Sequence, residues 1–189
     1  MTIWSRLGLA VMGFAFPTVA IAQGSGPGAA KAPAQVAAGA IDPSWLSFDA
    51  ATRTVKFKLI AGMTGGAKSP FNFNGFTSGE FTLTVPQDAT VVISFENRDG
   101  TPHSAEVIGG DGPLPSMGGN PAIPRAYTKQ ATEGIAQFGT DLLRFKASPA
   151  GSYRLFCGVP GHGQSGMWIR FTVSPQANAP AMALTPGSP

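Results

Sequence analysis

The sequence is poor in the residues that most often carry chemistry. Its 189 residues include one cysteine and two histidines, and only 12% of the residues are charged. The formal net charge of +3 is too small and too scattered to favour binding to nucleic acid. A single cysteine has no partner for a disulfide bond within the chain. In an oxidising compartment such a residue is a liability unless it binds a metal or pairs with another chain.

The first 22 residues have the pattern of a secretory signal. Arg6 precedes an apolar run over 7–16, and small residues ending at Ala22 form a cleavage site. A retained membrane anchor is the alternative, but Pro17 interrupts the run, which falls short of the roughly 20 apolar residues of a spanning helix. No later stretch is apolar for long enough to span a bilayer. The sequence therefore predicts cleavage after Ala22 and a soluble, periplasmic or secreted protein that is not stably inserted in the membrane.

Glycine and proline are partly concentrated at the two ends of the remaining chain. Residues 23–40 and 175–189 contain no aromatic residue and no apolar periodicity. They are predicted to be a low-complexity linker and a disordered, flexible tail. The intervening residues 41–174 are enough for one domain.

Within this domain apolar residues alternate with polar ones, as in half-buried strands. In one example Val55, Phe57 and Leu59 alternate with lysines. Other segments with similar alternation are 79–86, 89–97, 103–108, 141–147, 151–157 and 167–173. Turn residues separate these segments, which predicts an all-β, antiparallel sandwich. Residues 109–124 are predicted to form a long loop, and residues 126–139 to contain a short helix.

The alternation also predicts that the cysteine, both histidines and one methionine lie at one end of the sandwich. Cys157 has the phase of the inward face of its strand, and Met167 has the phase of the inward face of the next. His162 lies between them in a loop rich in glycine and proline, where no regular strand can persist. This bend joins the two strand ends at one pole. His103 stands at the start of another strand, from which a fourth group can reach the same pole.

One thiolate, two imidazoles and one thioether are the ligand set of a mononuclear electron-transfer copper site. The soft thiolate favours the reduced ion, imidazole suits both oxidation states, and the thioether adds little to the oxidised form. Each residue also has an ordinary interpretation, as a buried cysteine, a surface histidine or a core methionine. Because all four converge, we interpret His103, Cys157, His162 and Met167 as ligands of one copper ion.

Four protein ligands leave no open position for a substrate, which indicates an electron carrier and not an enzyme. Multicopper oxidases and copper nitrite reductases need further histidines, and a binuclear copper centre needs a second cysteine. A hydrolase in which His162 activates Cys157 would leave His103 and Met167 without a role. A copper-storage or delivery protein is the alternative, although such proteins favour mobile Met-rich or His-rich segments and the predicted tails hold only Met182.

The segment CGVPGHGQSGMW, residues 157–168, together with PHS at 102–104, resembles the copper loop of the cupredoxins. The four-residue gaps on either side of the loop histidine are most similar to those of the sulfocyanins and rusticyanins. Residues 71–108 also resemble the sulfocyanins. The resemblance covers about residues 45–174 and implies a cupredoxin-like Greek-key β-sandwich with one type 1, or blue, copper ion.

The resemblance further implies roles for particular residues. His103, Cys157 and His162 would be the equatorial ligands and Met167 the axial one. Ser104 would offer its backbone N–H to the cysteine sulfur, which helps to tune the potential. The other residues expected near the site are Asn97 as a tie between the ligand loops, Phe73, Phe156 and Trp168 as shielding aromatics, and Met117 as a surface or lid residue.

The expected partners are redox proteins, with a cytochrome or a terminal oxidase as candidates. His162 lies between two glycines, so its imidazole edge is expected to reach the surface. Val159 and Pro160 are expected to form an apolar collar around it. Small, weak interfaces suit electron transfer because the complex must separate quickly. We therefore expect partners to dock near His162.

Overall fold

The structure is a computed structural model that describes Met1, residues 40–64 and residues 69–185. The predicted signal over 1–22 lies outside the described residues, apart from Met1. Nearly all of the predicted linker over 23–40 lies outside them as well. Within the described ranges, no helix has the length and apolar character needed to cross a membrane.

Nine strands form two sheets in the part of the chain that the structure describes. A short 3-10 helix, Pro43–Trp45, precedes them. The strands are β1 (Leu46–Asp49), β2 (Thr54–Ala61), β3 (Phe81–Pro86), β4 (Thr90–Asn97), β5 (Glu106–Gly109), β6 (Thr140–Lys146), β7 (Gly151–Phe156), β8 (Trp168–Ser174) and β9 (Ala181–Leu184). The first sheet has the order β1-β2-β4-β6, and the second has the order β5-β7-β8-β3-β9.

The all-β sandwich is confirmed, but each sheet contains one parallel pair. β2 pairs in parallel with β4, with Val55 opposite Val91, and β3 pairs in parallel with β8, with Leu83 opposite Phe171. The other neighbouring strands are antiparallel. The prediction of an antiparallel sandwich is wrong for these two pairs, because alternation indicates which face of a strand is buried and not the direction of its neighbour.

Two strands lie where the alternation predicts none. One is β1, and the other is β9, which lies inside the predicted tail over 175–189 and pairs antiparallel with β3. The prediction of a disordered tail is therefore wrong for residues 181–184, because pairing with a sheet edge orders a segment whose own sequence is a weak signal. The predicted long loop is confirmed, since no strand lies between β5 and residue 124.

The predicted helix within 126–139 is absent. This segment forms turns and isolated bridges. Ile135 exchanges backbone hydrogen bonds with His103, and Thr128 donates its N–H to the Ala105 carbonyl at 2.8 Å. The backbone groups that a helix would bond internally are thus used to join this segment to the chain around His103.

The facing sides of the two sheets form one hydrophobic core. Val55, Phe57 and Leu59 of β2 are each no more than 1% exposed. Rings from opposite sheets meet there, as when Phe57 stacks on Phe81 of β3 with centroids 6.1 Å apart. Burying each such side chain stabilises the fold by about 1.5–3 kcal/mol. The strand ends are therefore held on a rigid scaffold.

The adjoining ends of β7 and β8 place the cysteine and a methionine at one pole of the sandwich. β7 ends at Phe156 and β8 begins at Trp168, so Cys157 and Met167 lie directly beyond the strands. The Cys157 N–H donates to the Met167 carbonyl at 3.0 Å, and the Met167 N–H donates to the His162 carbonyl at 3.1 Å. These bonds close the loop at its base, and both side chains are fully buried.

Candidate metal centre

Three side chains of types that commonly bind transition metals converge at this pole. The ligand atoms of His103, Cys157 and His162 all lie within 4.8 Å of one another. The two Nδ1 atoms of the histidines are 3.2 Å apart, and Cys157 Sγ lies 3.6 Å from His162 Nδ1. His103 and Cys157 are fully buried, whereas His162 is half-buried. The cluster therefore has a buried side and a side near the surface.

Asn97, the last residue of β4, fixes the turn that presents His103. Its Nδ2 donates to the carbonyls of Thr101 and Ile135, both at 2.8 Å, and its Oδ1 accepts from the Asp99 N–H at 2.9 Å. The His103 N–H in turn donates to the Ile135 carbonyl at 3.1 Å, and the Ile135 N–H donates back at 2.7 Å. His103 is thus held from both sides of its loop.

Asp99 orients the His103 ring. Its Oδ2 lies 3.2 Å from His103 Nε2. A carboxylate only accepts hydrogen bonds, so the proton of the neutral imidazole resides on Nε2 and Nδ1 keeps its lone pair. This Nδ1 is the atom that faces His162. Asp99 was not predicted from the sequence, although a carboxylate four residues before a histidine in a turn was an available signal.

Ser104 connects the histidine loop to the cysteine loop. Its backbone N–H donates to Cys157 Sγ at 3.4 Å, which confirms the contact implied by the family resemblance. Its Oγ accepts from the Gly158 N–H at 2.9 Å and donates to the Ala131 carbonyl at 2.6 Å. The tie between the two ligand loops, predicted for Asn97, is therefore made by Ser104.

The donor set fits a transition metal ion. Burial raises the pKa of the Cys157 thiol, and hydrogen bonds from Ser104 and Val159 offset this effect only in part. A metal cation next to the sulfur would stabilise the thiolate and release the thiol proton. Two imidazole nitrogens and one soft sulfur, directed to a common point, suit metals that accept both nitrogen and sulfur ligands.

His162 forms the side of the cluster that is nearest to the surface. Its loop turns at Gly161, with φ of 79°, and at Gly166, with φ of 97°, conformations that glycine adopts most readily. The His162 N–H donates to the Val159 carbonyl at 3.1 Å. The Phe71 ring packs against the His162 ring, with centroids 4.6 Å apart. Phe71, which lies in the connection between β2 and β3, thus restricts the His162 ring, and this contact was not predicted from the sequence.

The two methionines predicted near the site occupy different environments. Met167 is fully buried and adjoins Cys157 through the backbone hydrogen bond at the base of the loop. Its role as axial ligand stays a prediction. Met117 is 49% exposed, which agrees with the expected surface position.

The predicted shielding aromatics also differ in position. Phe156 is fully buried beneath Gly163, where an added Cβ would lie only 1.8 Å from the ring. Phe73 belongs to the hydrophobic core. Trp168 is partly exposed, and the guanidinium groups of Arg154 and Arg170 lie 5.3 and 5.9 Å from its ring centroid. Phe71, which is not one of these three predicted aromatics, has its ring against both His103 and His162.

The metal-free protein should lose stability on both sides of neutral pH. Burial lowers the pKa of His103, although Asp99 opposes this effect, and burial together with the charge of His103 lowers the pKa of His162. Below the usual histidine pKa of 6.5 the unfolded chain therefore binds more protons than the folded one, and stability falls as pH falls. The pKa of Cys157 is raised, so at high pH the folded chain keeps a thiol proton that the unfolded chain loses. Stability therefore falls as pH rises above the usual thiol value of 9.0.

Urea unfolding of the metal-free protein at pH values from 5 to 10 measures this dependence. The expected curve has its maximum between about pH 6.5 and 9. Replacing His162 with glutamine removes one titrating group and should flatten the acidic limb. A free energy of unfolding that stays constant between pH 7 and pH 5 would contradict the lowered pKa values of His103 and His162.

The chain is similar to known proteins of one family and to two solved copper proteins. The chain matches the family described as Sulfocyanin (SoxE) domain over residues 42–184. A sulfocyanin from Sulfolobus acidocaldarius is 29% identical over 140 residues, which is 70% of this chain and 70% of that protein. A structure of rusticyanin, described as a copper protein, is 22% identical with a TM-score of 0.47, covering 69% of this chain and 89% of that structure. Auracyanin A, a "blue" copper protein from Chloroflexus aurantiacus, is 22% identical with a TM-score of 0.46, covering 64% and 99%.

Proposed function

Since the chain belongs to the sulfocyanin (SoxE) family of blue copper cupredoxins, we propose that it binds one type 1 copper ion and carries single electrons between redox proteins. His103, Cys157 and His162 supply the three strong ligands, and Met167 supplies a weak fourth. Bound copper provides one-electron chemistry because it is stable as both the cupric and the cuprous ion. The protein residues hold the ligands and tune their electronic properties.

The observation that carries the proposal is the convergence of three donor atoms within 4.8 Å on loops that are fixed by hydrogen bonds. Asp99 leaves the His103 Nδ1 lone pair free. Ser104 donates its N–H to the sulfur, and hydrogen bonds to a ligand sulfur tune the potential of copper–thiolate sites. A set of ligands held in this way needs little rearrangement when the charge of the bound ion changes.

The surroundings of the site favour electron exchange over catalysis. His103 and Cys157 are fully buried, so no substrate reaches them from solvent. With Met167 as the fourth ligand, no coordination position is left for a reacting molecule. The half-buried His162 ring gives the ion its contact with the surface. We therefore propose an electron carrier and not an enzyme.

Addition of copper(II) to the purified protein tests the proposal. The expected result is one equivalent of bound copper and a strong visible band from charge transfer between thiolate and cupric ion. Voltammetry should then show a reversible one-electron wave without loss of metal. A protein that binds copper without this band, or that binds several equivalents, would refute a single type 1 site.

A copper-storage or delivery protein is the second candidate, and the same voltammetry separates it from a carrier. A delivery protein is expected to lose its metal when the ion is reduced or when a chelator is present. Met182, the methionine of the predicted tail, lies on β9 opposite Leu83 of β3 and packs partly against the core. It is therefore not part of a mobile metal-gathering segment, which favours the carrier.

Partner proteins are proposed to dock on the surface around His162. Val159 is half-buried and Pro160 is exposed beside it, and both are apolar. Pro160→Glu should slow electron self-exchange between two copies of the protein by about tenfold or more, because an unpaired charge must be desolvated at the contact. NMR line broadening of mixed oxidised and reduced protein measures this rate.

Ala150→Glu is the matched control for this variant. Ala150 is exposed in the turn before β7, at the opposite end of the strand from Cys157. The control should leave both the visible band and the self-exchange rate unchanged. If Pro160→Glu exchanges electrons as fast as the control, the docking surface lies elsewhere.

We also propose that the protein works in the periplasm or outside the cell. The support is the amino-terminal sequence, in which Arg6 and an apolar run precede small residues at Ala22. Mass spectrometry of the protein from a periplasmic fraction should find a chain that starts at Gln23. Recovery of only the uncleaved chain from the cytoplasm would contradict this location.

A further inference from the structure

Glu106 is a fully buried carboxylate that none of the roles described above uses. It lies on β5, opposite Phe156 of β7 and thus close to the cysteine loop. Its Oε2 accepts from the Gly119 N–H at 2.7 Å, and its Oε1 accepts from the Asn120 N–H at 2.9 Å. In the described part of the chain no cation forms an ion pair with it. Because a buried charge is costly without compensation, these two N–H groups are essential to its stability.

Apart from two backbone hydrogen bonds to the neighbouring loop, the segment 116–120, which contains both donors, has few other contacts to hold it. No residue between 109 and 122 is buried, so hydrophobic packing does not fix this stretch. Gly119 adopts a φ of 106°, a conformation that favours glycine. In this conformation the N–H groups of Gly119 and Asn120 both point to the Glu106 carboxylate. The segment is therefore held mainly by polar contacts, and those of Glu106 are the ones with a charged acceptor.

The same segment contacts the loop between the cysteine and the second histidine at two points. The Gly118 N–H donates to the Gly158 carbonyl at 2.8 Å, and the Gly161 N–H donates to the Ser116 carbonyl at 2.9 Å. A Cβ on Gly118 would lie 2.8 Å from the Gly158 Cα and 2.6 Å from Glu106 Oε2. The carboxylate, the segment and the loop are thus in direct contact, with no room for a side chain between them.

We propose that Glu106 is a positioning residue for the metal centre. Its carboxylate holds segment 116–120 against the outer side of the ligand loop, which limits the opening of that loop and slows the loss of copper. The effect on copper rests on the proposed function, whereas the effect on the segment requires no metal. A glutamine side chain of the same shape has one acceptor oxygen, and its NH₂ group would face an N–H donor.

The test compares Glu106→Gln with the natural protein in two measurements. In the metal-free protein, the amides of Gly118, Gly119 and Asn120 should exchange hydrogen at least about tenfold faster, while the amides of β3 and β8 keep their rates. In the copper-loaded protein, transfer of copper to EDTA should be at least about tenfold faster. Glu106→Asp keeps two acceptor oxygens, so both of its rates should lie closer to those of the natural protein.

Glu96→Gln is the matched control, because the Glu96 carboxylate forms ion pairs with Lys58 and Arg98 at the surface of the first sheet. It should leave both rates unchanged. Faster amide hydrogen exchange in all segments of the Glu106→Gln variant would overturn the inference. So would unchanged exchange at residues 118–120. Faster exchange with unchanged copper transfer would overturn the link to the metal centre. A natural protein that binds no copper would refute the proposed function, and the exchange rates would still decide whether Glu106 holds the segment.

Discussion

Cys157→Ser should abolish the strong visible band of the copper-loaded protein. The band requires a thiolate bound to cupric ion, and a serine hydroxyl supplies neither the soft donor nor the charge-transfer transition. Loss of a residue that only supports a ligand lowers metal affinity by about 10–100-fold, so loss of the sulfur itself should lower copper affinity by more than about 100-fold. Copper titration followed by absorption and by a competing chelator measures both effects.

Met167→Leu is the matched control for the cysteine variant. It removes the proposed axial thioether from a fully buried position and keeps both volume and apolar character. Because the thiolate remains, the band should persist at a shifted wavelength, and the potential should change. Cys157→Ser should still fold, since the Ser104 N–H can donate to a serine oxygen in place of the sulfur. A persistent band in Cys157→Ser, with circular dichroism unchanged, would refute the copper–thiolate site.

Gly163→Ala should weaken copper binding by about 10–100-fold and lower the free energy of unfolding by about 1–3 kcal/mol. An added Cβ would lie 1.8, 2.3 and 2.5 Å from three ring carbons of Phe156, which is fully buried. The chain at 163 must then move outward and carry the adjacent His162 ring away from Cys157. Chelator competition and urea unfolding measure the two effects.

Two further variants distinguish steric overlap with the Phe156 ring from backbone strain at the substituted glycine. Gly161→Ala introduces a residue at a φ of 79°, but no atom lies within 4 Å of the added Cβ, so it should lose stability and keep its copper affinity. Phe156→Leu, combined with Gly163→Ala, provides space for the methyl group and should recover most of the copper affinity. Additive losses in that double variant would show that the ring is not the cause.

The sequence predicted much of the fold because one physical signal dominates a sandwich core. Alternating apolar residues such as Val55, Phe57 and Leu59 identified most of the longer strands and their buried faces. Alternation contains no information on the direction of a neighbouring strand, so the parallel β2–β4 and β3–β8 pairs were not predicted. The short β9 has only four residues and a composition close to that of a flexible tail.

The candidate site was predictable where the chemistry of a residue type is distinctive. The chain has one cysteine and two histidines, so these three residues could be predicted from the sequence to form one cluster. The structure brings the three together. Their role as ligands, and that of Met167, stays a prediction until copper is added. Asp99, Phe71 and Glu106 belong to common residue types, and their positions depend on contacts between distant segments that no local pattern encodes.

The β9 strand also protects the second sheet from self-association. Its residues pair with Phe81, Thr82, Leu83 and Thr84, so the outer edge of β3 does not present a free row of N–H and C=O groups. An uncovered edge of that kind is a template for strands from other molecules, and very short edge strands are one way in which proteins limit aggregation. The four residues Ala181–Leu184 thus help to keep the protein monomeric in solution, which the proposed carrier needs if it is to meet and leave its partners rapidly.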